Sequence, residues 1–134
     1  MTSTWNNAAV VARVRQALMR GIVVATEGVR NEAVSLVLDT KKTGRIYRRR
    51  GVEHQASAPG EPPASDTGTL VSRIRTDYSR LGELVGVVRA STAYAAALEY
   101  GTPRMEPRPF MRPALANRRK QIIAGLEAEV RAVL

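Results

Sequence analysis

The stretch YAAALEYGTPRMEPRPFMRPAL, from Tyr94 to Leu115, holds four of the seven prolines in the chain. An alanine-rich run ends at Gly101, and glycine commonly ends a helix in the left-handed conformation. Because a residue that precedes proline is biased toward extended backbone, residues 102–112 are predicted to form a stiff, extended connector. Pro113 is suited to the first position of a last helix. The stretch therefore predicts a short helix, an elbow and a terminal helix.

Apolar residues recur at helical spacing on both sides of this elbow. The N-terminal stripe predicts one long helix over residues 4–39, in which Gly21 and Gly28 allow a close packing contact or a bend. Its members are Val11, Val14, Leu18, Ile22, Ala25, Val29, Ala33 and Leu36. A second stripe predicts the terminal helix and consists of Leu115, Ile122, Leu126, Val130 and Val133.

The middle of the chain has a different character. Prolines and glycines between residues 40 and 67 predict a long, flexible loop that is basic at its start and contains a short strand-like piece around Ile46 and Tyr47. Residues 68–90 predict an antiparallel hairpin, although Leu70 and Ile74 are also four apart and would suit a first helical turn. Ser91 is a candidate N-cap for the short helix over residues 92–100. The order of elements predicts a single α+β domain over residues 1–134.

Charge and composition limit the classes of function. The net charge is +9, there is no cysteine, and no apolar run approaches the length of a membrane span. We therefore expect a soluble protein without a disulfide framework, and the absence of a signal-peptide pattern at the N-terminus predicts no export signal. The balance of charge favours contact with polyanions, most simply nucleic acid, although arginine-rich surfaces are often only solvated.

Six basic residues lie within ten positions, and we call them the basic cluster: Lys41, Lys42, Arg45, Arg48, Arg49 and Arg50. Such a cluster neutralises phosphates without reading base sequence. Three alternatives stay open, namely a DNA-facing loop, a solvated loop, and a loop whose arginines pair with the carboxylates of a neighbouring subunit. A second basic group, 118–120 on the terminal helix, is interpreted as a solvated face.

Signals for catalysis are weak. The only histidine, His54, follows Glu53, and one such pair without further partners is typical of a loop rather than of an active site. The loop SAPGEPP contains glycine but lacks the spacing of a phosphate-binding loop. The only phenylalanine, Phe110, is predicted to be a core residue rather than an interface anchor.

Two blocks of sequence resemble a known family. The first carries Tyr94-Ala95, then Glu99, Tyr100, Gly101 and Thr102, then Pro107, Pro109, Phe110 and Pro113-Ala114. The second is SAPGEPPASDTGTL, from Ser57 to Leu70. Together they resemble the signature of the small neck proteins of tailed phages, the head–tail joining or tail-completion family. Neither the N-terminal helix nor the basic cluster takes part in this resemblance.

The resemblance implies a structural virion protein that forms a ring in the neck, between portal and tail, around the channel for double-stranded DNA. It implies no enzymatic activity and no cofactor, and assembly in the cytoplasm of the bacterial host; because the chain has no cysteine and one histidine, no metal site is expected either. The implied partners are further copies of the chain, other neck, portal-side or tail proteins, and DNA held non-specifically, with no membrane. A ring needs two different interfaces on each subunit, and the elbow and the terminal stripe are the candidates. The alternative is a free double-stranded DNA-binding protein that acts through the basic cluster.

Overall fold

The computed structural model describes residues 7–65 and 68–134, so residues 4–6 of the predicted first helix and residues 66–67 of the predicted loop lie outside the described residues. Helix α1 spans Asn7–Asp39 and helix α4 spans Met111–Arg131. The two pack against each other in antiparallel directions, since Arg20 bonds to Glu129 and Asn117 bonds to Glu32. At about 1.5 Å per residue, the 33 residues of α1 extend for about 50 Å.

Two glycines bring the long helices together. A Cβ on Gly21 would lie 2.7 Å from Cδ2 of Leu126, and one on Gly28 would lie 3.2 Å from Nη2 of Arg118. A Cβ at either position would therefore require the contacting side chain of α4 to shift. Of the two predicted roles of these glycines, the structure has the close packing contact.

The buried face of α1 is wider than the predicted stripe. Val29 and Ala33 are buried as expected, but Val11 is exposed, and Ala17 and Val37 are buried although they lie off that stripe. The reason is that α1 has two partners, because α4 covers one side of it and the sheet of residues 74–90 covers another near its C-terminal half.

The predicted strand-like piece around Ile46 and Tyr47 is present, but it is paired in a β-hairpin, which differs from the predicted loop. Strands β1, Ile46–Arg49, and β2, Val52–Gln55, pair in antiparallel register from Ile46 opposite Gln55 to Arg49 opposite Val52. Arg50 and Gly51 form the two-residue turn, and both have positive φ, as a type I′ turn requires. The bond from Gly44 N–H to the Ala56 carbonyl, at 2.9 Å, extends the ladder beyond the strands.

The predicted hairpin of residues 68–90 is present with shorter strands. Helix α2, Thr69–Ser72, comes first, so the alternative of a helical turn at Leu70 is the correct one. Strand β3, Ile74–Asp77, pairs with β4, Val87–Ala90, in antiparallel register, and a short 3₁₀ helix, Leu81–Glu83, lies between them. The start of the predicted second strand, at Glu83, is therefore helical.

Helix α3, Ala95–Tyr100, is shorter than predicted, and the N-cap prediction at Ser91 is wrong. The helix begins after a turn, and the Ser91 hydroxyl donates to the carbonyl of Arg73 instead. Pro113 lies in the first turn of α4, but at its third position rather than its first. Gly101 has φ of 77° but ψ of 177°, so its backbone has the predicted sign of φ without the left-handed helical ψ.

Side chains from both long helices, the second sheet and α3 form the core. Its members are Val29, Ala33, Val37, Leu70, Ile74, Ala95, Phe110 and Ala114. Phe110 is fully buried, which confirms its prediction as a core residue. The element order confirms an α+β fold with two small antiparallel sheets. No helix within residues 7–65 and 68–134 is both long and apolar enough to cross a membrane.

Candidate functional site

Glu99 is the central residue of the elbow. It lies on α3 and is only 5% exposed, and its carboxylate points at the first turn of α4. Oε2 accepts the N–H groups of Phe110 and Met111 at 2.8 and 3.0 Å, and Oε1 accepts that of Arg112 at 2.8 Å. Hence one side chain joins the start of the elbow to its end.

This contact accounts for the free amides at the start of α4. The first four N–H groups of a helix have no acceptor within the helix. Glu99 accepts three of them, from Phe110 to Arg112, and the fourth position is Pro113, which has no N–H. The negative carboxylate also lies at the positive end of the helix dipole. The proline at the third position and the distant glutamate therefore form one capping arrangement.

Electrostatics favour the charged form of Glu99. Burial tends to raise the pKa of this carboxyl group, but the three backbone N–H groups and the Arg112 guanidinium outweigh burial and hold its pKa below the usual range. Nε of Arg112 donates to Oε1 at 3.2 Å, and Nη2 donates to the Glu99 carbonyl at 3.1 Å. Glu99 is therefore an ionised, fully bonded structural group, and its carboxylate has no geometry for acid–base work on a substrate.

The turn of the elbow is closed by backbone contacts. A Cβ on Gly101 would lie 2.9 Å from both the Met105 carbonyl oxygen and Cδ of Pro107. Thr102 and Met105 form an antiparallel bridge, with N–H···O distances of 2.8 and 3.2 Å. Because its backbone is bonded in this way, the tip of the elbow holds a defined shape.

The outer face of the elbow is exposed. The Tyr100 side chain is 66% exposed, and the guanidinium carbon of Arg112 lies 4.9 Å from the centre of its ring. Thr102, Pro103 and Arg104 are exposed beside it, whereas Pro109 is half-buried. The predicted elbow residues therefore divide into an inner group that holds the fold and an outer face that a partner can reach.

The two sequence blocks of the resemblance meet at this elbow. The N–H of Gly60 donates to the Pro107 carbonyl at 3.0 Å, and Nε of Arg108 donates to the Ser57 carbonyl at 3.3 Å. Ser57 is buried, so the second of these bonds reaches into the body of the protein. Residues that are about fifty positions apart in sequence thus form one connected surface.

The basic cluster is divided by the hairpin. Nζ of Lys42 donates to the Leu36 carbonyl at 3.0 Å, near the end of α1, and burial lowers the pKa of this lysine despite the nearby Glu61 carboxylate. Lys41, Arg45, Arg48 and Arg50 are exposed. Arg49 is also exposed but lines a pocket between the hairpin and α3 together with Tyr47. The cluster is therefore carried mainly by a hairpin with Arg50 in its turn.

Glu53 and His54 do not make a joint site. They are neighbours on one strand, and successive side chains of a strand point to opposite faces. The His54 ring stacks on Tyr47, its partner in register, with 5.5 Å between ring centres. Within the described part of the chain, no three His, Cys, Asp or Glu side chains come together to hold a metal ion.

The terminal stripe is used largely inside the protein. Ile122, Leu126 and Val130 are half-buried along α1, whereas Leu115 is 56% exposed. In the basic group of residues 118–120, Arg118 is half-buried under Gly28, and only Arg119 and Lys120 lie on the predicted solvated face. The stripe is thus mainly a helix-packing surface, with one exposed leucine at its start.

Sequence reasoning missed the capping role of Glu99, the pairing of β1 with β2, and an apolar groove beside Leu115. The available signal for the cap was a helix start, Pro109-Phe110, without any of the usual capping side chains. Comparison with protein-family models, curated proteins and solved structures found no match to this chain.

Proposed function

We propose that this chain is a structural subunit of the neck of a tailed-phage virion, where it forms a ring between portal and tail around the DNA channel. In this role it acts by assembly and needs neither catalysis nor a cofactor. Its partners are further copies of itself, other neck, portal-side or tail proteins, and non-specifically held double-stranded DNA.

One observation carries the proposal. The described residues that resemble the neck-protein signature are connected, since Glu99 caps α4 and Phe110 fills the core. Gly60 and Ser57 of the second block bond to Pro107 and Arg108. A chance resemblance of two separate blocks would not require them to contact each other. Their contact supports the inference that the resemblance reflects a shared fold.

The outer face of the elbow suits an interface between ring subunits. Prolines stiffen this segment and backbone bonds fix its shape, so little conformational entropy is lost when it docks. Tyr100 adds a large aromatic surface, and aromatic residues are enriched at interfaces. Ring closure requires that this face meets a different patch on the neighbour.

The β1–β2 hairpin suits the channel side of such a ring. Arg48 and Arg50 are exposed near its turn, where they can approach phosphates without recognising bases. A small number of exposed positive side chains suits a DNA channel better than a large number, because tight binding would hinder the passage of DNA. Lys42, which is bonded to the end of α1, is not among them.

A free double-stranded DNA-binding protein is the second candidate, and the exposed arginines of the same hairpin favour it. The two functions differ in what the isolated chain does. A neck subunit gains DNA contact only within an assembly, whereas a free binder holds a duplex as a monomer or dimer, with steep salt dependence.

The test is the mass of the purified chain in solution, over a range of protein and salt concentrations, with and without a short duplex. We expect the chain to be a monomer or a ring-sized oligomer whose mass does not change when the duplex is added at about 0.15 M salt. Tight binding by a monomer or dimer, lost with rising salt and weakened in the variant R48Q/R50Q, would refute the neck assignment. The matched control is R73Q/R104Q, which removes two exposed charges outside the hairpin.

A further inference from the structure

An apolar groove opens between the three layers of the fold. Its floor is α1, one wall is β4 with the residues that precede it, and the other wall is α4; its volume is about 520 Å³. The main lining residues are Ile22, Ala25, Leu84, Val88, Leu115 and Ile122. The β3–β4 sheet has only two strands, and no further element among residues 7–65 and 68–134 lines the groove.

From this groove we infer a docking site for an amphipathic helix of another protein, with acidic residues along the flank that faces α4. The inference concerns the chemistry of a partner, so it stands or falls independently of the neck assignment.

Polar groups are too few for a small polar ligand. Apart from backbone, the lining offers the hydroxyl of Thr26 and the guanidinium of Arg112. The Thr26 hydroxyl already donates to the Ile22 carbonyl at 2.6 Å. Small-ligand pockets place several polar groups to fix orientation, whereas a helix in a groove needs only an apolar bed and a suitable rim.

The rim identifies the charge of the partner. Arg112 and Arg119 lie on either side of Leu115 on one face of α4, because their spacings of three and four residues match the helical repeat. The Arg112 side chain is still 61% exposed despite its bonds to Glu99. Arg112 is paired with Glu99, and just before Leu84 in the sequence Arg80 pairs with Glu83 at 2.9 Å. Among the described residues, the charge left unbalanced beside Leu115 is therefore the positive charge of the exposed Arg119.

A second copy of the chain is the poorer occupant. In a symmetric pair it would bring the same arginine-bearing face to the interface, and in any arrangement it carries its own net charge of +9. Like charges repel each other across an interface, whereas an acidic partner would be attracted by the arginines.

Backbone strain at the groove separately supports a binding site there. Leu84 has φ of 61° and ψ of 39°, a left-handed conformation that is unusual for a bulky residue. Strained residues persist where the surrounding structure or a function maintains them, and they concentrate at binding sites. Here the strained residue supplies part of an apolar wall.

The experiment uses two synthetic helical peptides of eighteen residues as probes. Both carry leucines at helical spacing on one face; one has glutamates and the other has lysines along the flanks. Fluorescence anisotropy with the full chain, at about 0.15 M salt, measures each affinity. We expect the glutamate peptide to bind at least about tenfold more tightly than the lysine peptide.

Variants locate the binding. L115E should weaken the glutamate peptide about tenfold or more, and R119Q about threefold. The matched control is I123E, because Ile123 is on the same helix and is similarly exposed, at 48%, but does not line the groove. Circular dichroism verifies that each variant is folded.

Three results would overturn the inference: equal binding of the two peptides, equal effects of L115E and I123E, or no binding of the glutamate peptide by the folded chain. Self-association that L115E abolishes and I123E does not, seen by sedimentation, would assign the groove to a second copy and also overturn it.

Discussion

Replacing Glu99 by glutamine should destabilise the protein strongly. The carboxylate accepts three backbone N–H groups and the Arg112 Nε, and it is almost completely buried. Glutamine keeps the shape, but one of its two terminal groups becomes a donor that faces donors. Hydrogen bonds to a charged group contribute about 1.5–3 kcal/mol and neutral ones about 1, so losing two bonds and weakening two costs about 3 kcal/mol or more.

Urea denaturation followed by helical circular dichroism measures this loss. With an m value of about 1.5 kcal/mol/M, the midpoint of E99Q should fall by about 2 M relative to the unchanged protein. The matched control is E106Q, because Glu106 is an exposed glutamate of the same elbow. The free energy of unfolding of that variant should change by no more than about 0.5 kcal/mol.

The pH dependence gives a second, independent check. The pKa of Glu99 is lowered in the folded protein, so the stability that its charge adds is complete above the unfolded pKa, about 4.3, and is lost as pH falls through the folded pKa. The stability difference between the unchanged protein and E99Q should therefore be constant near pH 7 and shrink below about pH 4. A difference under about 1 kcal/mol at pH 7, or one that does not shrink with acid, would refute the capping argument.

Two further predictions concern backbone conformation. G101A should lower the free energy of unfolding by about 2 kcal/mol or more, because φ is 77°, ψ is 177° and the added Cβ meets Met105 and Pro107. The control G125A, at an open helical site, should raise the free energy of unfolding by about 0.5–1 kcal/mol. Urea midpoints measure both changes, and changes of the same sign would contradict the argument. R50N should raise the free energy of opening of the β1–β2 amides, measured by hydrogen exchange, by a few tenths of a kcal/mol, because asparagine tolerates the positive φ of this turn better than arginine does. The control R48N lies within the strand and should not raise this free energy.

Sequence alone predicted the long elements well. The periodicity from Val14 to Leu36 identified α1 and its end at Asp39, and the second stripe identified α4. The buried face of α1 was harder to predict, because it depends on which sides its two partners cover. Helical periodicity shows that a face is apolar, and tertiary packing decides how far around the helix burial extends.

A strand-like piece around Ile46 and Tyr47 was predicted, but its pairing into the β1–β2 hairpin could not be predicted from burial. Ile46 and Val52 are both exposed, so no apolar alternation marks the strands, and Arg50-Gly51 is not one of the common turn pairs. Cross-strand pairs such as Tyr47 with His54 stabilise it instead. Such pairs become visible only when the register is known.

Glu99 escaped prediction for a related reason. Helix caps are normally sought at the residue before the helix or three residues into it, and this carboxylate lies eleven to thirteen positions upstream of the amides that it binds. The path between them is the elbow itself. A local window contains the prolines and the glycine but not the reason for their positions.

The stiffness of the elbow therefore serves the packing of the protein itself. The chain must leave α3, turn sharply at Gly101, and return Phe110 to the core with the amides of α4 against Glu99. Prolines reduce the entropy of the unfolded segment, and Pro113 removes the one amide that Glu99 does not reach. Substitutions in this inner group will thus report first on stability. The proposed contacts with partners have to be tested at positions that leave the Glu99 cap intact, which are the outer face around Tyr100, the hairpin turn at Arg50, and Leu115 in the groove.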